Sequence, residues 1–129
     1  MIPILDCKIE AYCEINPSED PKKIEQAMAN VLNDVEFKIG MSSIMATSRE
    51  IESLSKIRES IHRHRSQNVY LRFLDDNLDG DETWFYLNKQ AAFANTISLC
   101  EDAEESALGP IKITIRSKSI ERIIEWLAV

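Results

Sequence analysis

The chain reads Trp84-Phe85-Tyr86-Leu87-Asn88-Lys89-Gln90-Ala91-Ala92-Phe93 near its middle. The first four residues are aromatic or aliphatic, as in a β-strand, and the amide and lysine residues that follow are typical of a turn. This join predicts a strand from Thr83 to Leu87 and a turn at residues 88–90. One helical turn is expected through Ala91-Ala92, where the apolar pattern resumes.

Alternating apolar and polar residues predict further strands on both sides of this join. Residues 5–15 alternate strictly, which is the pattern of a long strand with one buried face. Residues 35–39 and 44–47 flank Gly40 and are interpreted as a hairpin. Two more strands are expected, one near residues 95–99 and one over residues 111–115.

Apolar residues at helical spacing predict helices between these strands. Asp20 and Pro21 are placed to cap and open a helix that ends near Asn33. Ser48 is expected to cap a second helix, and a further helical segment follows an interruption at residues 63–68. Ser117 or Ser119 opens a terminal helix. The prediction is a single α+β domain over residues 1–129, with a mainly antiparallel sheet and helices packed on one face.

Length and composition limit the class of protein. The chain has 129 residues, of which 44% are hydrophobic and 29% are charged, which suits one globular domain. No apolar run approaches the roughly 20 residues that span a bilayer, and the first residues do not have the pattern of a secretory signal. We expect a cytoplasmic protein with no membrane partner.

The three cysteines are Cys7, Cys13 and Cys100, an odd number that does not suit a disulfide framework. Cys7 and Cys13 fall on one face of the same predicted strand, but about 20 Å apart. We expect all three to be reduced packing residues, and a reactive thiol is the alternative.

The net charge is −7, which argues against indiscriminate nucleic-acid binding. The acids are unevenly distributed, however. Residues 75–82 and 101–105 hold nine of the 22 acids, and the remaining 13 face 15 bases. We therefore hypothesise that negative charge is segregated into these two acidic segments, leaving a basic face elsewhere.

The turn at Asn88, Lys89 and Gln90 is the first candidate binding site. It combines amide donors, amide acceptors and a cation, a set suited to RNA backbone or base edges. The alternative is that the amides only close the turn through local backbone contacts. Trp84, Tyr86 and Phe93 can stack on bases, although about half of these aromatics are expected in the core.

Basic residues around the second helix form the second candidate. Lys56, Arg58, Arg63 and Arg65 surround the single acid Glu59, which suits a surface that contacts phosphates. The alternative is that these charges form the solvated face of a helix.

Metal and catalytic patterns are weak. Residues 75–80 begin like a calcium loop, but the twelfth position is Tyr86 instead of glutamate, so a solvated acidic turn is expected. His62 and His64 are two apart and point away from each other on a helix. The sequence contains neither a glycine-rich phosphate loop nor a nucleophile motif. We expect no enzyme activity, metal or cofactor.

Several ordered segments carry a resemblance to a known family. Residues 85–93, 108–111 and 124–127, with residues 16–21 before the first helix, are similar to an uncharacterised archaeal family of predicted exosome-associated RNA-binding proteins. The resemblance implies a fold like that of the fifth protein of the large ribosomal subunit, RNA as a partner, and a place in an RNA-processing complex. Relatives are expected to carry arginines in the second helical segment, where Ile61 and Gln67 stand here.

Two hypotheses follow. The leading one is a non-catalytic RNA-binding or RNA-processing accessory protein that uses Asn88, Lys89 and Gln90, supported by Arg63, Arg65 and Arg72. The competing one is a homodimeric protein-interaction module, in which the same turn and the second helix form the subunit interface.

Overall fold

The computed structural model describes residues 5–129 and contains one six-stranded antiparallel sheet covered by helices. Its elements follow in chain order: β1 Lys8–Glu14, α1 Pro21–Val31, β2 Glu36–Ile39, β3 Ser43–Ser48, a 3-10 helix Ile51–Leu54, α2 Ser55–Arg63, α3 Gln67–Asp76, β4 Glu82–Leu87, α4 Lys89–Phe93, β5 Leu99–Cys100, a 3-10 helix Ala103–Glu105, β6 Ile111–Arg116 and α5 Ile120–Ala128. The sheet order is β2-β3-β1-β6-β4-β5. The predicted α+β class is confirmed.

The helices cover one face of the sheet because the strands alternate. In β4, Thr83, Phe85 and Leu87 are buried, whereas Trp84 and Tyr86 between them are partly exposed. Burying a side chain as large as Phe85 contributes about 2 to 3 kcal/mol. The opposite face of the sheet carries polar and aromatic side chains and no helix among residues 5–129.

Two predicted helix starts are confirmed, and the first of them has a side-chain capping hydrogen bond. Asp20 caps α1 by accepting a hydrogen bond from the Lys22 amide at 3.0 Å, and Pro21 is its first residue. Ser119 precedes α5, and its amide donates to the Ser117 hydroxyl at 3.0 Å.

Two predictions were wrong in detail. Ser48 ends β3, and its hydroxyl accepts from the amide of Glu50, two residues later, instead of capping α2. The strand expected near residues 95–99 is reduced to Leu99–Cys100. Asn95 has a φ of 59°, and the Thr96 amide donates to the Ala91 carbonyl, so this segment closes α4 before a strand can begin.

Candidate nucleic-acid interface

Lys89 lies inside the protein. Its side chain is 0% exposed, and its ammonium donates to the carbonyls of Glu14 at 3.0 Å and Leu108 at 2.7 Å. It also donates to the Glu19 carboxylate, at 3.0 Å and 3.3 Å from the two oxygens. An ammonium has three hydrogens, and these contacts use all of them. The expectation that Lys89 contacts RNA is therefore corrected, because no donor remains for a phosphate.

The Glu19 carboxylate that pairs with Lys89 is itself held in place. The Asn16 amide and side chain donate to its Oε1 at 3.0 Å and 2.8 Å. Burial alone would raise the pKa of Glu19, but the hydrogen bonds from Asn16 and Lys89 bring this pKa below its usual value. This network joins the end of β1, the start of α1 and the segment around Leu108.

The turn predicted at residues 88–90 is shorter than expected, because Lys89 and Gln90 already belong to α4, and Asn88 and Gln90 have different roles there. The Asn88 side chain caps α4 by accepting from the Ala91 amide at 2.9 Å, and the Asn88 amide donates to the Ser98 carbonyl at 2.8 Å. Asn88 therefore closes the turn, as the alternative interpretation predicts. Gln90 is exposed, and its side-chain oxygen lies 2.8 Å from the Ser106 hydroxyl.

The predicted arginines lie in the helix layer. Arg63 ends α2, and Arg65 lies two residues later with a φ of 53°. Both are exposed. Arg72 on α3 is also exposed, but its guanidinium lies 3.5 Å from the Glu101 carboxylate and 5.9 Å from the Phe73 ring centroid.

The hypothesis of segregated charge is therefore wrong in part. Glu101 belongs to one acidic segment and contacts Arg72, and Glu82 of the other lies 2.6 Å from the Arg116 guanidinium. Because each acidic segment places one of its acids beside an arginine, the acids are not as fully separated from the basic residues as the sequence predicted.

The structure also shows the surroundings of two other residues of the second helix, Ile61 and Arg58. Ile61, where the resemblance led us to expect arginine in relatives, is 0% exposed, so a contact to RNA from this position is absent here. Arg58 is partly buried because its Nε donates to the Trp126 carbonyl at 2.8 Å and its guanidinium lies over the Trp126 ring.

The open face of the sheet carries a set of side chains that the sequence interpretation did not assemble. The strand registers pair Tyr12 with Lys112, and Lys112 with Tyr86. In the other direction, Tyr12 pairs with Met45, and Met45 with Lys38. A single row thus crosses five strands in the order Lys38, Met45, Tyr12, Lys112 and Tyr86.

Trp84 widens this row into an aromatic patch. Its ring centroid lies 4.9 Å from that of Tyr86, and the Lys112 ammonium lies 4.7 Å from the Trp84 ring centroid. Tyr12 is 40% exposed, and Trp84, Tyr86 and Lys112 are partly exposed. We call Tyr12, Trp84, Tyr86 and Lys112 the aromatic patch.

Alternation in the sequence already indicated that Trp84 and Tyr86 share a face opposite Phe85. It could not indicate that Tyr12, some 70 residues earlier, lies in the same row. That neighbourhood depends on the insertion of β6 between β1 and β4.

The charge of the open face is balanced. Its cations are Lys8, Lys38, Lys112 and Arg116, and its acids are Glu10, Glu14, Glu36 and Glu82. Any ligand of this face must therefore gain affinity from the aromatic rings more than from net charge.

Metal binding, thiol reactivity and membrane insertion have little support in the described part of the chain. No three side chains of His, Cys, Asp or Glu within residues 5–129 come together as metal ligands. Cys7, Cys13 and Cys100 are buried free thiols. Across the same residues, no helix is long and apolar enough to cross a membrane.

Comparison with known proteins adds the family. A family model described as RNA binding matches residues 8–117, which is most of the chain. The chain belongs to this family. The matched region includes every strand of the sheet and the whole aromatic patch.

Relatives from several archaea are named UPF0201 proteins. One from Sulfurisphaera tokodaii is 40% identical over 124 residues, which cover 93% of this chain and 86% of the relative. Another from Methanothermobacter thermautotrophicus is 32% identical over 121 residues, covering 94% and 90%. These names describe no enzyme.

Solved structures of the family share the fold. A crystal structure of an uncharacterized UPF0201 protein superimposes with a TM-score of 0.80 and 29% identity, covering 94% of this chain and 92% of the other. The UPF0201 protein from Methanococcus jannaschii superimposes with a TM-score of 0.81 over the same shares, at 22% identity. The latter likeness concerns the fold alone.

Proposed function

We propose that this protein binds single-stranded RNA on the open face of its sheet, as a non-catalytic accessory protein. The observation that carries the proposal is the aromatic patch, in which Lys112 lies between Tyr12 and Tyr86 in one row of the sheet. The family description as RNA binding supports the same partner.

The geometry of the patch suits unpaired bases. Adjacent strands are about 4.8 Å apart, so Tyr12 and Tyr86, two strands apart, are separated by roughly 10 Å. Each ring can take one base, and the ammonium of Lys112 between them can meet the connecting phosphate. A duplex keeps its bases stacked inside and cannot use such rings in this way.

The balanced charge of the open face gives the proposal a second signature. Lys112 and Lys38 are the two cations of the row, so binding to the row alone, without Arg63 and Arg65, should neutralise about two phosphates. For a single strand this gives a slope of about −1.4 for the logarithm of affinity against the logarithm of salt concentration. A basic groove with six or more contacts would give a much steeper slope.

Arg63 and Arg65 extend the proposal to the helix layer. They are exposed and lie across the sheet from the aromatic patch, where they are proposed to touch RNA backbone beyond the stacked bases. The resemblance to predicted exosome-associated RNA-binding proteins supports the further proposal that this binding occurs within an RNA-processing complex. We expect co-purification with such a complex to depend on intact RNA.

The test is fluorescence anisotropy with labelled single-stranded RNA and its matched duplex at several salt concentrations. Trp84→Ala, Tyr86→Ala and Tyr12→Ala should each weaken single-strand binding about 5- to 100-fold, the usual loss for one base-stacking ring. Arg63→Ala with Arg65→Ala should weaken it less and reduce the salt slope.

Phe93→Ala is the matched control, because Phe93 is 39% exposed, close to the 40% of Tyr12, but lies on α4 away from the open face. It should bind RNA like the natural chain. Absence of saturable binding at low salt would overturn the proposal, and so would a loss in Phe93→Ala equal to that in Tyr12→Ala.

A further inference from the structure

β2 forms one edge of the sheet and is paired, among residues 5–129, only with β3. Apolar side chains accompany this edge. Ile39 is 52% exposed, Met41 just beyond it is fully exposed, and Phe37 is only partly buried. An edge strand with unpaired backbone groups and exposed apolar residues is a surface on which another strand can pair.

The hydrogen bonds of the hairpin show which backbone groups of β2 point outward. The Gly40 amide donates to the Ser43 carbonyl at 2.8 Å, so this pair is hydrogen-bonded. In an antiparallel ladder such pairs alternate with pairs that are not bonded to each other. Glu36 and Lys38 therefore direct their backbone groups toward β3, and Phe37 and Ile39 direct theirs to the free edge.

We propose that two copies of this chain associate through β2, in antiparallel register about a two-fold axis at Phe37. In this register the backbone N–H and C=O of Phe37, which point away from β3, meet those of the partner's Phe37. The two residues then exchange both backbone hydrogen bonds. This interface goes beyond RNA binding and does not depend on it.

Opposite charges across the interface favour an axis at Phe37 over an axis at Glu36 or Lys38. When the axis lies at Phe37, Glu36 of one copy lies opposite the partner's Lys38, and Lys38 lies opposite the partner's Glu36. Both pairs fall on the open face, where Glu36 and Lys38 are exposed. An axis at Glu36 or at Lys38 would instead place two like charges opposite each other, which is unfavourable.

The apolar residues fit the same register on the helix side of the sheet. Phe37 lies beside the partner's Phe37, and Ile39 lies opposite the partner's Val35. Pairing would thus remove the exposed Ile39 from water, and it would join two six-stranded sheets into one of twelve strands. The interface differs from the one expected from the sequence, because Lys89 of the turn is buried and cannot contribute.

Sedimentation velocity without RNA tests the proposal. The natural chain should show a reversible monomer to dimer equilibrium as its concentration rises to about 1 mM, which detects dimers with dissociation constants up to about that value. Lys38→Glu alone, or Glu36→Lys alone, places like charges opposite each other twice in the dimer. Each should weaken self-association about 5- to 30-fold, from the loss of two cross-strand pairs.

Two combinations make the test specific. Glu36→Lys with Lys38→Glu in one chain exchanges the charges and should restore self-association. A mixture of the two single variants should form a heterodimer, since one chain then carries two lysines and the other two glutamates at these positions. If the single variants failed to self-associate because they misfold, neither the double variant nor the mixture would recover self-association.

Lys23→Glu and Glu104→Lys are the matched controls, because both residues are exposed and lie away from β2. They should self-associate like the natural chain, and thermal melts should show all variants folded. A chain that stays monomeric up to about 1 mM overturns the proposal. Single variants that associate normally, or combinations that do not recover, overturn it as well.

Discussion

The ammonium nitrogen of Lys89 lies 3.0 Å from Oε1 of Glu19, although the two residues are 70 positions apart in the chain. Their side chains are 0% and 7% exposed. A buried ion pair needs both members, because removing one leaves the other charged, desolvated and without a counter-ion. This pair therefore holds α4 against the start of α1.

Replacing either member should destabilise the fold. We expect Lys89→Ala and Glu19→Ala each to lower the free energy of unfolding by about 3 to 5 kcal/mol, measured by urea denaturation. The double variant should lose clearly less than the sum, because it leaves no uncompensated charge. Lys22→Ala, at an exposed position on α1, should change stability by no more than about 0.5 kcal/mol. Strict additivity of the two single changes would contradict the coupling.

The same carboxylate gives a pH dependence with a defined sign. The fold lowers the pKa of Glu19 from its ordinary 4.5, so its stabilising contribution is complete above that value and is lost as pH falls through the folded pKa. Between about pH 5 and pH 3, the natural chain should therefore lose stability more steeply than Glu19→Gln. Parallel profiles for the two proteins would show that this group does not titrate with folding.

Lys89 should matter for stability and not for RNA contact. Lys89→Met keeps most of the side-chain volume, and below its melting temperature we expect it to bind single-stranded RNA within about twofold of the natural chain. The reason is that the ammonium has no free donor in the fold. An RNA affinity at least tenfold lower, in protein shown to be folded by circular dichroism, would return Lys89 to the binding surface.

Trp84 should report directly on base stacking. The chain has two tryptophans, and Trp126 lies in the helix layer beside Arg58. Trp126→Phe leaves Trp84 as the single indole, and we expect its fluorescence to be quenched as single-stranded RNA saturates the patch. Trp84→Phe, which leaves only Trp126, is the control and should show little change. Equal quenching of both variants would place the RNA elsewhere or show a non-specific effect.

The cysteines should be nearly inert in the folded protein. Burial raises the pKa of Cys13 to about 11, and it also raises the pKa of Cys7 and of Cys100. Because the thiolate is the reactive form, a thiol reagent at pH 7.5 should label native protein slowly and all three cysteines quickly in urea. Rapid labelling of one cysteine in native protein would identify a reactive thiol, the alternative considered from the sequence.

Local sequence patterns were sufficient for most of the architecture. The apolar and alternating residues of β4 and β6 identified both strands, because a strand reverses its side chains at every residue. The cap at Asp20 was equally readable, since capping involves only neighbouring residues. Prediction was wrong at Ser48 and near Asn95, where short-range hydrogen bonds compete with the regular element.

The candidate site was much less accessible to sequence reasoning. Lys89 was interpreted as an exposed cation because lysine is seldom buried without a partner, and its partners Glu14 and Glu19 are 75 and 70 residues away. The pairing of Arg72 with Glu101 was hidden in the same way.

The sequence by itself therefore determined the α+β class, the strand faces and the position of Trp84 and Tyr86 on one side of β4. Only the tertiary structure decided that Tyr12 and Lys112 lie beside them and that Lys89 does not. The physical reason is that strand order and ion pairing join residues far apart in the chain, and their proximity follows from packing of the whole sheet and not from local periodicity.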